Sequence, residues 1–433
     1  MYERRGASKA GWRGRRRFVG RVLLVATLLV TLILPRGDRY ILTPVEEAAI
    51  DSRFSLVSWE VRNAFSKWGS RTASSFRGVS TRDGAALVDR YVAINRGLGE
   101  LEGQLARAVA VRGTDLASGD QIADLEARIA GLKAERQAIR PRLEEYLEAE
   151  LSTTMAAQGL GRFGPLLWPP VDFRMEEPPQ LLVVSRRDRI ERLEDVLLDA
   201  RTMTTRAEAI EALVKERENL SALVVQLGGL ATYPNIVPAN YDTLPLLQVA
   251  AHEWLHSYLF FRPLGQRFND SGEMAILNET LAGLAGDELG GQTWSRLMGK
   301  PAPVPSLLRE RRAPGPAGNF SFDAFMRETR QRTDELLSDG QIEAAESYME
   351  QRRIELQDHG YFFRKLNQAY FAFHGTYADS PSSTSPIGPQ VAEFRTLAGS
   401  IGETVREIAA AGSYEEFLRI LKQKRRAAAE PSP

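Results

Sequence analysis

The run Leu244-Pro-Leu-Leu-Gln-Val-Ala-Ala-His-Glu-Trp-Leu-His-Ser-Tyr-Leu-Phe-Phe261 decides how this chain is read. Its apolar residues recur at helical spacing. Asp242 and Thr243 stand where an N-cap is expected, Pro245 falls in the first turn, and Arg262-Pro263 with Gly265 end the pattern. In a helix, positions i and i+4 share a face. His252 and His256 therefore aim two imidazoles at one point, which is what Zn²⁺ needs from its first two ligands. Glu253 leans beside that point and is placed to take a proton from a water held by the metal. The chain has only four histidines, so this spacing is a specific signal. The plain alternative is three groups satisfied in a helical core. It has to find partners that offset their desolvation.

A tetrahedral catalytic zinc takes a third protein ligand and keeps one open position. Glu279 is the best candidate, in the second helical run Met274-Ala-Ile-Leu-Asn-Glu-Thr-Leu-Ala-Gly-Leu-Ala-Gly-Asp-Glu-Leu289. Ala282, Gly283 and Gly286 follow it at helical spacing, and small residues let two helices approach closely. Glu273, Asp287 and Glu288 are the competing acids.

The pattern His-Glu-x-x-His with Asn278-Glu279-x-x-Ala282 resembles the zinc-ligand signature of the gluzincin metallopeptidases, the superfamily of thermolysin and the membrane alanyl aminopeptidases. The resemblance spans roughly residues 220 to 290. It implies His252, His256 and Glu279 as metal ligands and Glu253 as general base. The gap from His256 to Glu279 is longer than in those two families. Gly283 stands where thermolysin relatives carry an aspartate, which leaves the partner of the ligand histidines unassigned. Gly228-Gly-Leu-Ala-Thr-Tyr-Pro-Asn235 carries no acid where the aminopeptidases bind a free amino terminus, which argues against that activity.

At 433 residues, 43% apolar and 26% charged, the chain can hold more than one domain and a sizeable core. Its net charge of zero gives no overall attraction to nucleic acid. The absence of cysteine excludes disulfides, thiol catalysis and cysteine-ligated zinc. Seven basic residues crowd positions 4 to 17, and an apolar run from Phe18 follows. With Arg21 snorkelling, that run reaches the roughly 18 residues a thin bilayer accepts. Leu34-Pro-Arg-Gly-Asp-Arg39 offers no good cleavage site, which favours an anchor over a cleaved signal. The expectation is an uncleaved single-pass anchor in the cell membrane, with the rest of the chain on the extracytoplasmic side.

The expected organisation is a basic segment at 1–17, the anchor at 18–36, a juxtamembrane helix and linker at 37–80, and a coiled-coil hairpin at 81–152; the catalytic domain takes 153–425 and a disordered tail 426–433. A helix is predicted over 43–69, with Trp59 and Trp68 at the membrane interface or against the body. In the hairpin, Leu87, Tyr91, Ile94, Leu98, Leu101 and Leu105 face Ile122, Leu125, Ile129, Leu132 and Ile139 as two heptad seams. Arg136 interrupts the second seam, and Pro141 is expected to kink it. The hairpin reads as a spacer packed on the body or as a docking arm for a protein partner.

The catalytic domain is expected to be α+β, mostly helical and zincin-like, with a small sheet. Strands are predicted at 180–185 and 221–227, flanking a helix at 204–218. Residues 229–236 could form an edge that pairs with an extended peptide. A Pro-rich loop at 301–319 precedes helices at 321–337, 341–357 and 360–373, then two more within 387–425. The helix over 360–373 delivers His374 and Tyr377 into a polar loop, where either can hydrogen-bond a developing oxyanion; a C-terminal histidine favoured by the helix dipole is the alternative for His374. His359, at a helix break, reads as such a cap.

These readings converge on a membrane-anchored zinc peptidase. Two other readings share the residues: a coiled-coil interaction protein with a structural metal, and a zinc hydrolase of non-peptide amides or esters. No phosphate-binding Gly-Lys loop, nucleophile elbow or dinucleotide fingerprint is present.

Overall fold

Residues 41–63, 81–111, 118–161, 167–309, 320–378 and 380–429 are described by a computed structural model. The elements below belong to the unit Pro44–Pro433; the expected anchor lies outside the described residues. No helix among them is long and apolar enough to cross a membrane.

In chain order the first half comprises α1 (Pro44–Ala48), α2 (Thr81–Val111), α3 (Ser118–Ala157), β1 (Phe173–Met175), β2 (Gln180–Ser185), β3 (Arg192–Leu198), α4 (Thr204–Glu218), β4 (Ser221–Gln226) and β5 (Asn235–Val237). The second half comprises α5 (Thr243–Leu259), α6 (Pro263–Gln266), α7 (Gly272–Met298), α8 (Phe322–Ser338), α9 (Ile342–Asp358), α10 (Gln368–His374), α11 (Ile387–Leu397), α12 (Ile401–Ala409) and α13 (Tyr414–Ala429). The unit is mostly helical with a small sheet, as expected.

β2 is buried at every position because it lies between antiparallel neighbours in the order β3-β2-β4. Side chains alternate across a strand. Leu182 and Val184 thus meet Ile210 and Val214 of α4 with Val45 of α1. Leu181 and Val183 meet Met326, Met349 and Phe371 on the other face. β1 and β5 form a separate parallel pair.

α2 and α3 are antiparallel: Asn95 meets Arg136 and Glu102 meets Lys133. Ile94, Leu98, Leu101, Leu125 and Ile129 fill the seam, as the heptads predict. Arg136 is accommodated because its Nη1 donates to Asn95 Oδ1 at 3.0 Å. Pro141 lies inside α3, which continues through it. The boundary expected at 152/153 falls within α3, whose Leu143, Leu147, Leu151 and Met155 share one core with Trp254 and Leu255 of α5.

Four expectations are corrected. The helix over 43–69 is interrupted: Arg53 bridges to Leu198, and Phe54 N donates to Leu197 O at 2.8 Å, so the edge of β3 takes these backbone groups. Helix resumes at 56–63, with Trp59 buried; Trp68 lies outside the described residues. The helix over 360–373 is only α10, because Asn367 caps it by accepting from Tyr370 N and Arg364 and Lys365 reach back to buried Glu211. The C-terminal region holds α11, α12 and α13, where two helices were expected, since Ser400 caps a new start. The tail stays helical to Ala429: Lys424 pairs with Glu403 and Glu407, and Arg425 with Glu393.

Candidate metal centre and the cavities beside it

α5 is positioned by its buried side. Leu246, Leu247, Ala250, Ala251, Trp254 and Leu255 are all enclosed, and Trp254 Nε1 donates to Pro169 O at 2.9 Å. α7 starts at Ser271, whose side chain accepts from Met274 N. The two helices pack closely because Gly286 has no side chain. A Cβ there would lie 2.8 Å from Gln248 O and 2.9 Å from His252 Cβ.

This packing brings the three expected ligands together. His252 Nε2 and His256 Nε2 are 3.0 Å apart, and each is 3.6 Å from Glu279 Oε2. Zinc bonds of about 2.0–2.1 Å in a tetrahedron require ligand atoms roughly 3.3 Å apart, so the triangle has the right size. Glu279 Oε2 is buried without a hydrogen-bond partner, a costly state unless a cation compensates it. The donor set and its spacing fit a divalent metal.

His256 Nδ1 lies 2.9 Å from Asn278 Oδ1. Donation of Nδ1–H to that oxygen leaves the Nε2 lone pair for a metal. Asn278 is thus the partner the sequence reading left unassigned. Its adjacency to Glu279 was visible in the sequence; its direction was not. Of the competing acids, Glu288 pairs with Arg395. Asp287 accepts from Gln248 Nε2 and Ser306 N.

The carboxylate and the two histidines compensate one another's charge. Burial opposes ionisation of Glu279, yet the flanking histidines hold its carboxyl well below the usual range. Burial likewise opposes protonation of His256, but the Glu279 carboxylate dominates and pushes it up to about 9. Glu253 is 7% exposed; burial raises its pKa above the ordinary carboxylate value and outweighs the pull of the two histidines. Its Oε1 is so near the backbone of Gly229 that a Cβ there would come within 2.5 Å.

A cavity of about 480 Å³ holds His252, Glu253 and Glu279 together with His374 and Tyr377. The structure therefore brings both expected oxyanion donors to the site. α10 packs on the sheet and ends at His374; Tyr377 lies in the turn that follows. Burial lowers His374 to about 4, so its imidazole is neutral at neutral pH. Burial, then the Glu279 and Glu253 charges, push Tyr377 far up, so it keeps its O–H. His359 caps α9 and stacks on Phe320 at 3.8 Å, apart from the site.

The base of the hairpin touches this cavity: Tyr241 O accepts from Tyr91 Oη at 2.5 Å and from Asn95 Nδ2 at 3.0 Å, and Tyr241 lines the cavity. The loop ahead of β5 carries no acid of its own, but Glu60 reaches it from a distant segment and accepts from Thr232 Oγ1 at 2.5 Å. Set against family models, curated proteins and solved structures, the chain matches none, so the reading of this centre rests on its own geometry.

Proposed function

We propose that the chain is a zinc-dependent peptidase of gluzincin type with a zincin-like catalytic domain, anchored in the cell membrane through residues 18–36 with its site on the extracytoplasmic side. The observation that carries the activity is the triad His252, His256 and Glu279 with buried Glu253 beside it in one cavity. These three side chains would hold the metal, with His256 oriented by Asn278. A bound zinc supplies Lewis acidity and lowers the pKa of water to about 7. Glu253 takes the water's proton and passes it to the leaving amine. Tyr377 and His374, both neutral donors, face the oxyanion as it forms. Two cavities reach the triad, one lined by His252, Glu253 and Glu279 and the other by His256, which suits a substrate that extends beyond the cut bond.

The test is metal content and peptide cleavage of the purified protein beside Glu253→Gln. About one zinc per chain, chelator-sensitive cleavage by the unsubstituted protein and loss of turnover with zinc retained in the variant are expected. Zinc without any cleavage favours a structural metal in an interaction protein that works through its coiled-coil arm. Cleavage of esters or non-peptide amides alone moves the substrate class and keeps the site.

A further inference from the structure

We infer that the aromatic-lined cavity against His256 binds a large apolar side chain of the substrate beside the bond that is cut. This rests on the peptidase reading of the triad. The cavity encloses about 880 Å³, within the range of sites that bury small organic groups. Trp168, Tyr233, Phe260, Phe261 and Phe268 line it, and it reaches His256 and Asn278. His256 is a proposed metal ligand and Asn278 its hydrogen-bond partner, so a group seated here lies against that ligand, beside the cavity that holds His252, Glu253 and Glu279.

The lining also defines what is excluded. Trp168, Phe260 and Phe261 are 48%, 68% and 46% exposed. They come from two separate segments, yet Trp168 and Phe261 approach to 6.3 Å between ring centroids. Such rings gain most from an apolar partner that covers them. Among the described residues, the one carboxylate in the lining is Glu60. It accepts from Thr232 Oγ1 and from Tyr233 N, and among the described residues no cation pairs with it. An acidic side chain entering here would face that charge in an apolar setting and be rejected.

Digestion of a pool of blocked decapeptides, with both residues at each cut identified by mass spectrometry, tests this. Phe, Leu and Trp should be enriched over Ala by about tenfold or more at one flanking position, with Asp and Glu depleted there. Trp168→Ala/Phe261→Ala should abolish the enrichment, and Glu60→Gln should relieve the depletion. Circular dichroism confirms that the variants are folded; if the double variant is not, Phe260→Ala replaces it. Titration of Glu253→Gln with N-acetylphenylalaninamide gives a readout independent of turnover, and the ring substitutions should weaken it. Cleavage without size preference overturns the pocket and leaves the peptidase standing. Absence of cleavage, with amide binding that the ring substitutions weaken, overturns the peptidase and supports the pocket. Loss of both overturns both.

Discussion

His256 Nδ1 and Asn278 Oδ1 meet at 2.9 Å, so the residue that orients one candidate ligand histidine directly precedes the candidate carboxylate ligand on α7. In the proposed centre, one helix thus supplies a metal ligand and the group that fixes the tautomer of another. Asn278→Ala should therefore keep the three ligands yet weaken zinc binding by about 10–100-fold. A competition titration against a chromophoric chelator measures this, and unchanged affinity would refute the role.

The contact of α5 with α7 separates two neighbouring glycines. A Cβ on Gly286 would collide with Gln248 O and His252 Cβ, whereas one on Gly283 meets nothing within 4 Å. Gly286→Ala should cost about 1–3 kcal/mol and loosen zinc. Gly283→Ala should be neutral or stabilise by up to about 1 kcal/mol, from helix propensity alone. Urea unfolding of the two variants is the comparison.

On the proposed mechanism, Gly229 bears on chemistry more than on stability. Its Cβ would lie 2.5 Å from Glu253 Oε1 and 2.7 Å from Val249 Cγ1. Gly229→Ala should push the general base aside and lower kcat on the order of a hundredfold, with zinc stoichiometry intact. Equal loss of zinc and turnover would show that the loop supports the metal instead.

Acid should destabilise the protein in two steps. His374 is lowered by burial from 6.5 to about 4, so as pH falls below 6.5 the unfolded chain takes up a proton that the folded one resists. Stability is lost across that window. Burial opposes ionisation of Glu211, but hydrogen bonds from Arg364 and Lys365 hold it below its ordinary 4.5. Its contribution is complete above 4.5 and disappears as pH falls further. Chemical denaturation from pH 7 to 3 should show the upper step vanish in His374→Phe. Glu211→Gln should remove the lower one and cost roughly 2 kcal/mol at pH 7, a value reduced by the exposure of Lys365.

The legible parts of this protein are those that covalent geometry dictates over a few residues. His252 and His256 share a face because a helix turns every 3.6 residues. The heptads of α2 and α3 and the apolar run of β2 identify themselves the same way. Glu279 could be chosen because its neighbours are small and apolar. β3 was missed because Arg192-Leu-Glu-Asp-Val-Leu-Leu198 carries charges on an edge strand and gains its order from pairing with β2. The breaks at 53–55 and 361–367 were missed because distant partners set them: the edge of β3 and the buried carboxylate of Glu211.

The sequence by itself determined which side chains could hold a metal and which carboxylate could serve it. Tertiary structure alone decided that Asn278 turns toward His256, that Glu60 reaches Thr232 across 172 positions of chain, and that aromatic rings from two segments enclose one cavity. The physical reason is that periodicity is a property of neighbouring peptide units. The direction of a hydrogen bond or the wall of a cavity arises only when remote segments are packed together.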